Sequence, residues 1–368
     1  MNRIVTLLIL CFTVYFAGQT PAITSNEKTV QPLKIGFITV ESVSDMGWNY
    51  AHNQGRLYME RALKGQVETS VVENIPENAE VERVMEKLIA QGNKMIFATS
   101  YGYLEPAVRM AKRHPDIFIF YVGRPSPDFV KNLTAYINNP YQPMYVAGVV
   151  AGRMTKCNKI GYVAAHPVPP VLINLNAFAL GARSVNPKAE VHVVWTNSWS
   201  DPPTEAEAAR GLIDQGADVL AAHLDSTVTV VQIAEKNRLY SVGYHADIHH
   251  LAPQGWLIGQ KWNWGPLYVK TVQSVLNRIW KGGNYLATSK ENCAELSSIG
   301  KGVPPAVKKE ALDLWAKIKA DKFTIFRGPL KDRDGKIVIP AGKALDDTLL
   351  SQTDWVVAGI YGNLPKNH

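Results

Sequence analysis

The sequence predicts an α/β protein with two lobes, each built around a parallel β-sheet. Three observations predict this class. Short apolar runs alternate with amphipathic stretches from Leu33 onward, the pattern begins again near residue 160, and 368 residues are enough for two domains of ordinary size. The chain is 46% apolar and 19% charged, so it can build a large core and is not typical of disordered or fibrous proteins.

The first 22 residues are predicted to be a signal peptide. Arg3 supplies a positive start, the apolar run through Phe16 has the length of a signal-peptide core, and cleavage is expected near Ala22. This run is shorter than the roughly 20 residues of a membrane-spanning helix. An uncleaved anchor is the alternative interpretation. We therefore expect an exported, periplasmic protein.

The charge balance does not indicate a nucleic-acid partner. The net charge is +7, and the basic residues are scattered, as on a solvated surface. Cys157 and Cys293 remain after removal of the signal peptide. An oxidising compartment would allow them to pair, and two buried unpaired thiols are the alternative, because their spacing does not decide the geometry.

The first predicted lobe alternates buried strands with amphipathic helices, as a parallel sheet requires. The first helix follows the first strand, and the second helix follows the second strand. The predicted strands are residues 33–40, 68–74, 94–100 and 116–122, and the predicted helices are residues 48–63 and 79–90.

Two sequence patterns recur at nearly the same spacing. Ile35-Gly36-Phe37 matches Ile160-Gly161-Tyr162 at an offset of 125 residues, and Leu88–Gly92 resembles Leu212–Gly216 at an offset of 124. In the second pair a helix is predicted to end at the glycine, and a buried strand follows. The repeat predicts two lobes of one topology.

The predicted domain boundaries follow from this repeat and from the turn-rich Asn138-Asn139-Pro140. Residues too few for a third lobe follow the second one and are expected to return to both lobes, which makes a multi-crossing hinge. The predicted division is 1–22 for the signal peptide, 33–138 and 246–280 for the N-terminal lobe, and 139–245 and 281–365 for the C-terminal lobe.

Aromatic and polar side chains follow the predicted strands of both lobes. Ligands of open parallel sheets bind beyond the carboxyl ends of the strands. Aromatic faces stack on a flat ring, and Asp or Asn side chains bond its polar edge. The predicted ligand-binding residues are Asp45, Trp48, Asn49, Tyr101, Tyr103, Trp199, His223, Asp225, Asp247, Asn263 and Trp264.

Structural roles are the alternative for several of these residues. Each aromatic residue, taken singly, fits core or lid packing as well as ligand contact. Asp45 and Asp201 each precede a predicted helix, where an N-cap is the alternative role, and for Asp201 the cap is favoured.

The sequence carries no GxGxxG, Walker, GxSxG or HExxH motif, so no catalytic residue and no cofactor is predicted. A metal site at the string His245, Asp247, His249 and His250 is the alternative to a solvated turn, and no metal is predicted. The rival class is a secreted nucleoside hydrolase or lyase that uses Asp225, His223 or His245 as its acid or base.

The chain from residue 23 onward resembles the basic membrane protein (BMP) family of ABC transporter substrate-binding proteins. Two motifs carry the resemblance, Asp45-Met46-Gly47-Trp48-Asn49 and Trp199-Ser200-Asp201. The resemblance implies a type I periplasmic binding protein fold with two Rossmann-like lobes, and a non-catalytic protein that delivers its ligand to a membrane permease. It also implies that Asp45 contacts the edge of a purine and that Trp48 and Trp199 sandwich the ring.

Two departures from the family pattern concern the ribose. His245 stands where nucleoside binders carry an Asp, in Gly243–Asp247, and the stretch Trp262–Pro266 lacks the family's ribose-binding Lys. These departures favour a free, adenine-like purine base, and a nucleoside is the alternative. A monomer is expected. Presentation of the ligand to a sensory receptor instead of a permease stays open.

Overall fold

The computed structural model describes residues 31–123, 126–138, 140–287, 293–350 and 352–364. The predicted signal peptide lies outside these residues. Within them, no helix combines the length and the apolar character needed to cross a membrane.

Strands and helices alternate along most of the described chain. The strands are β1 (Leu33–Ile38), β2 (Val67–Val72), β3 (Met95–Ala98), β4 (Phe118–Val122), β5 (Leu133–Asn138), β6 (Lys159–Ala164), β7 (Glu190–Trp195), β8 (Val219–His223), β9 (Tyr240–Gly243), β10 (Trp256–Trp262), β11 (Gly283–Ala287), β12 (Ala294–Leu296), β13 (Leu330–Lys331), β14 (Ile337–Ile339) and β15 (Ile360–Tyr361). The helices are α1 (Trp48–Ala62), α2 (Glu80–Ala90), α3 (Leu104–Arg113), α4 (Tyr141–Met154), α5 (Pro169–Val185), α6 (Pro202–Asp214), α7 (Val228–Lys236), α8 (Trp264–Leu276), α9 (Pro305–Lys319) and α10 (Asp347–Leu350). The predicted strands and helices of the first lobe agree with these bounds to within two residues.

Two large sheets carry the fold. The first has the strand order β11-β5-β4-β3-β1-β2 and is parallel throughout, and the second has the order β12-β10-β9-β8-β6-β7-β15 and is parallel except for β12. Residues 35–38 of β1 are buried on both faces, as expected for a parallel strand covered by helices on each side. The predicted two-lobed α/β fold is confirmed.

The two sheets repeat one topology. The order β5-β4-β3-β1-β2 in the first lobe corresponds to β10-β9-β8-β6-β7 in the second. The sequence repeat has a packing reason: a Cβ on Gly36 would lie 2.7 Å from the Leu88 side chain of α2, and a Cβ on Gly161 would lie 3.0 Å from Leu212 of α6. Glycine therefore lets a helix approach the equivalent strand closely in each lobe.

The repeated glycines after α2 and α6 end those helices as predicted. Gly92 and Gly216 have φ values of 89° and 92°, in the left-handed region that glycine adopts at low cost. The N–H of the residue after each glycine bonds back into the helix, from Asn93 to the carbonyl of Leu88 at 3.1 Å and from Ala217 to that of Leu212 at 3.0 Å.

The chain crosses between the lobes after β5, after β10 and between β11 and β12. This differs from the predicted boundaries. Trp256–Trp262 was expected in the first lobe and lies in the second sheet, whereas Gly283–Ala287 was expected in the second lobe and joins the first sheet. Helix α8 packs in the core of the first lobe, as predicted. A strand buried on both faces is apolar along its length, so its pattern does not tell which sheet it joins.

The chain after β12 packs mainly on the second lobe. Trp315 of α9, Ile339 of β14 and Ile360 of β15 belong to the same buried cluster as β6 and α5. The two cysteines form no disulfide: Cys157 is exposed on the second lobe, and Cys293 is buried in the first-lobe core.

Candidate functional site

The ends of strands from both sheets enclose a cavity of about 420 Å³. Small-molecule sites typically occupy 300–1,000 Å³, so a single compact ligand fits this volume. The first lobe and its connection to α4 contribute residues such as Trp48, Ser100, Tyr101, Gly123, Tyr136 and Tyr141, and the second lobe contributes residues such as Ile173, Asn174, Trp199, His223, Asp225, Tyr244, His245 and Trp262.

Five of the eleven predicted residues line this cavity, namely Trp48, Tyr101, Trp199, His223 and Asp225. Trp48, Tyr101, Trp199 and Asp225 follow β1, β3, β7 and β8, and His223 is the last residue of β8. All five therefore lie at the carboxyl ends of parallel strands, where ligands of such sheets bind. The two tryptophans come from different lobes, so both lobes present an aromatic ring to one cavity.

Trp48 is the first residue of α1, and one hydrogen bond and four edge-on ring contacts fix its ring, the nearest from His52 at a centroid distance of 4.3 Å. Its Nε1 donates to the carbonyl of Thr99 at 2.6 Å. The rings of His245 and Trp262 approach it edge-on, with centroids 5.1 Å and 5.8 Å away. The indole is therefore anchored at its polar edge before any ligand arrives.

Trp199 is held from the second-lobe side. Its ring meets His166 edge-on at a centroid distance of 4.9 Å, and its backbone carbonyl accepts from the N–H of Asp225 at 2.9 Å. The loop after β7 and the loop after β8 are therefore tied together beside the cavity.

Asp225 is a buried acid with one carboxylate oxygen unsatisfied. Its side chain lines the cavity, the residue is 7% exposed, and Oδ2 has no hydrogen-bond partner within the described part of the chain. Burial raises the pKa of Asp225 well above its usual range, and the charges of Asp45, Glu77 and Glu41 raise it further. A buried acceptor without a partner is costly, which marks this group as one that a ligand can satisfy.

Asn174 of α5 also leaves an acceptor unsatisfied in the cavity wall. Its Nδ2 donates to the Tyr244 hydroxyl at 2.7 Å and to His223 Nδ1 at 3.1 Å, whereas its Oδ1 has no partner among the described residues. Burial lowers the pKa of His223 to about 3, so the ring is neutral at pH 7. With Nδ1 accepting, the proton of His223 lies on Nε2.

Sequence reasoning missed Asn174 and Tyr244. Asn174 lies in the apolar helix α5, and its signal was a polar residue on a face that is otherwise apolar. Its neighbour Asn176 has a structural role, because it bonds the backbone of Trp355 and Val357. Tyr244 had no distinguishing signal beyond its place after β9.

Asp45 and Asn49 do not line the cavity. Asp45 accepts hydrogen bonds from the backbone N–H groups of Gly47, Asn49 and Tyr50 and from Asn49 Nδ2, at 2.8–3.0 Å. These four donors occupy both carboxylate oxygens at the start of α1. Asp45 therefore stabilises the first turn of α1, as a cap does, but from two residues before the N-cap position, which Gly47 occupies. Asn49 is fully buried in α1, and its side chain hydrogen-bonds Asp225 as well as Asp45.

Tyr103 and Trp264 lie in the core of the first lobe. The Tyr103 hydroxyl donates to the carbonyl of Ile75, and the residue is fully buried. Trp264 is 1% exposed and stacks on Trp262 at a centroid distance of 4.9 Å. Both rings were predicted from their position after a strand, and both face away from the cavity into the packed interior.

Asp247 and Asn263 also make structural contacts away from the cavity. Asp247 accepts from His249 Nδ1 and from the backbone N–H of Ser298, each at 2.8 Å. Asn263 Nδ2 donates to Glu295 at 3.1 Å at the start of α8. Asp201 caps α6, as favoured: its oxygens accept from the backbone and hydroxyl of Thr204 at 3.2 Å and 2.7 Å.

His245 and Trp262 form a bonded pair in the cavity wall. Trp262 Nε1 donates to His245 Nδ1 at 2.7 Å, and His245 is held at a φ of 72°. Asp247 and His249 pair with each other, and His250 is exposed. Across the described residues, no group of three or more His, Cys, Asp or Glu side chains has the arrangement to hold a metal ion.

These features define a class: a protein of two similar α/β lobes that the chain crosses three times, with a cavity of small-molecule size between them. The solved structures of two ABC transporter solute-binding proteins share the fold. The one from Aeropyrum pernix K1 has a TM-score of 0.69 and 17% identity over 79% of this chain and 92% of its own, and the one from Conexibacter woesei a TM-score of 0.64 and 21% identity over 79% and 97%. The architecture is that of type I periplasmic binding proteins.

The chain belongs to the Bmp family of PnrA-like ABC transporter substrate-binding proteins, whose model matches residues 33–325. It is 39% identical over 337 residues to a purine-binding protein of Brucella abortus, covering 91% of this chain and 95% of the relative. It is 32% identical over 338 residues to a Haloferax volcanii protein whose name assigns it glucose binding in an ABC transporter, covering 91% and 82%. The family is a substrate-binding, non-catalytic component of transport systems.

Proposed function

We propose that this protein is the periplasmic component of an ABC importer that closes around a free purine base, with adenine as the first candidate. The observation that carries the proposal is the pair Trp48 and Trp199, which line one cavity from opposite lobes. Two indole faces with a ring between them would supply about 1–3 kcal/mol each. With a few edge hydrogen bonds, this reaches micromolar binding, about −8 kcal/mol.

The chemistry of the lining favours a neutral, ring-shaped ligand. No Lys or Arg lines the cavity within the described residues, so nothing there offers a counter-charge to a phosphate. The 39% identity to the Brucella purine-binding protein supports a purine. A nucleotide is disfavoured.

The place of the family's ribose-binding groups supports a base over a nucleoside. His245 uses Nδ1 to accept from Trp262 Nε1, so this nitrogen is not available to a ribose hydroxyl. Asn263 bonds Glu295 and does not line the cavity. These contacts favour a free base, and a nucleoside is kept as the alternative ligand of the same site.

A hydrolase needs a general acid or base that can exchange protons near pH 7. Burial lowers the pKa of His223 to about 3, and burial together with His223 and His52 lowers that of His245. Neutral histidines of this kind support a binding role, whereas burial raises the pKa of Asp225, so Asp225 is the acid or base that the hydrolase alternative would use. Export by residues 1–22, a permease partner and a monomeric state belong to the same proposal.

Calorimetry of refolded, ligand-free protein tests the proposal. Adenine, guanine and hypoxanthine are titrated beside adenosine, guanosine, inosine and glucose. We expect a one-to-one heat with a free base and a Kd in the micromolar range or tighter. If none of the purine compounds produces heat, or glucose alone binds, the protein is not a purine carrier.

A further inference from the structure

The cavity wall contains two hydrogen-bond acceptors that the protein itself leaves unsatisfied. Asp225 Oδ2 and Asn174 Oδ1 are both buried, both residues line the cavity, and neither atom has a partner among the described residues. Buried polar atoms without partners are rare in folded proteins, and each one costs stability. Two in one cavity indicate that a ligand supplies the missing donors.

The neighbouring groups fix which atoms face the ligand. Asn174 uses both hydrogens of Nδ2, on the Tyr244 hydroxyl and on His223 Nδ1, so its oxygen is the atom left over. The same contact places the proton of neutral His223 on Nε2, which makes that atom a donor. The cavity wall therefore contains the two acceptors Asp225 Oδ2 and Asn174 Oδ1, beside a lining histidine that carries its proton on Nε2.

An Asn49 side-chain hydrogen bond reaches the Asp225 carboxylate, but Oδ2 has no partner among the described residues. Asp45, Glu77 and Glu41 add negative charge around it, and no cationic side chain lines the cavity in the described part of the chain. An N–H donor from the ligand would stabilise the ionised carboxylate in place of a counter-ion.

We propose that Asp225 and Asn174 select ligands by accepting two N–H groups, so that the site takes purine bases with an exocyclic amine and a free imidazole N–H, and rejects bases substituted at the imidazole nitrogen. Adenine has both an exocyclic amine and an imidazole N–H, together with ring nitrogens that can accept from His223. A nucleoside has lost the imidazole N–H to its sugar. It would leave one buried acceptor unpaired, and sites built around such a bond discriminate strongly. This inference rests on the proposed function and names the groups that set its specificity.

The test compares three ligands on four proteins. Adenine is measured against 9-methyladenine, which lacks the imidazole N–H, and against purine, which lacks the exocyclic amine. The proteins are the parent, Asp225→Asn, Asn174→Ala and the control Asn176→Ala. The control removes a buried asparagine of the same helix whose amide bonds the backbone of Trp355 and Val357. Thermal melting establishes that each variant is folded. If Asn174→Ala does not fold, the isosteric Asp225→Asn still tests the proposal.

In the parent, each missing donor is expected to weaken binding at least about ten-fold. One of these preferences should shrink to about two-fold or less in Asp225→Asn and the other in Asn174→Ala, as in a double-mutant cycle. The control should keep both preferences. The inference is overturned if the parent binds 9-methyladenine as tightly as adenine, or if both cavity variants keep the full preferences. If no purine binds the parent at all, the proposed function itself fails.

Discussion

The backbone carbonyl of Asp225, in the second lobe, accepts a hydrogen bond from the backbone N–H of Trp48, in the first lobe, at 2.7 Å. The residue before Trp48 allows this approach. A Cβ on Gly47 would overlap the carbonyl oxygen of Asp225 and lie 2.8 Å from its carbonyl carbon. The loop that carries an aromatic wall of the cavity and the loop that carries its buried acid are therefore in direct backbone contact across the lobes.

Gly47→Ala should prevent this contact and hold the lobes apart. Because the proposed function has the lobes close around the ligand, the apparent affinity should fall about ten-fold or more. Calorimetry gives the affinity, and small-angle scattering of the ligand-saturated protein should give a larger radius of gyration than the parent. The matched control is Gly211→Ala in α6, where a Cβ meets nothing within 4 Å. Equal affinity and equal size in both variants would contradict the role of Gly47.

Trp199→Ala should remove one aromatic wall. We expect a loss of about 1–3 kcal/mol in binding free energy. The free energy of unfolding should change little, because the Trp199 side chain is partly exposed. Trp195→Ala is the control, since Trp195 lies outside the cavity and its Nε1 bonds the carbonyl of Asn363. A Trp199 variant that binds as tightly as the parent would exclude stacking on this residue.

Asp45→Ala should act on stability, because the carboxylate caps four donors at the start of α1. The free energy of unfolding in urea is expected to fall by about 1–2 kcal/mol. Asp313→Ala removes an exposed carboxylate that pairs with Lys309, and should cost less than about 0.5 kcal/mol. If Asp45→Ala instead unfolds like the parent and only loses binding, Asp45 is a ligand contact, as the family resemblance implies.

His223 should make the folded protein less stable in acid. Burial lowers its pKa from 6.5 to about 3, so the unfolded chain takes up the proton first as the pH falls. Between pH 7.5 and 5.5 this linkage should remove about 1.4 kcal/mol from the free energy of unfolding. Over the same interval, the free energy of unfolding of His223→Gln should fall by about 1.4 kcal/mol less than that of the parent. The control His250→Gln changes an exposed residue and should behave like the parent. Parallel curves for the parent and His223→Gln would mean that His223 is not held neutral.

The strand-end rule predicted where the cavity lies but not which side chains face it. Tyr101 and Tyr103 belong to one short turn after β3, yet Tyr101 lines the cavity and Tyr103 points into the core to bond Ile75. Neighbouring residues of a tight turn point in different directions, and a sequence pattern does not resolve them. Asn174 reaches the cavity from the interior of a helix, which no strand-end rule includes.

The repeated topology, in contrast, could be predicted from the sequence, because it depends on residues within each strand–helix unit. Gly36 and Gly161 admit Leu88 and Leu212, and Gly92 and Gly216 end the helices that carry those leucines. The assignment of Trp256–Trp262 to a lobe had no such local cause. It depends on pairing with β9, a contact between strands that their apolar composition does not specify.

The most direct test of the central claim is the mass of the small molecule released when the purified protein is unfolded. The two unsatisfied acceptors Asp225 and Asn174, and the tryptophans Trp48 and Trp199, predict a free purine base with no sugar attached. Release of a nucleoside, or of a hexose, would contradict this account of the cavity.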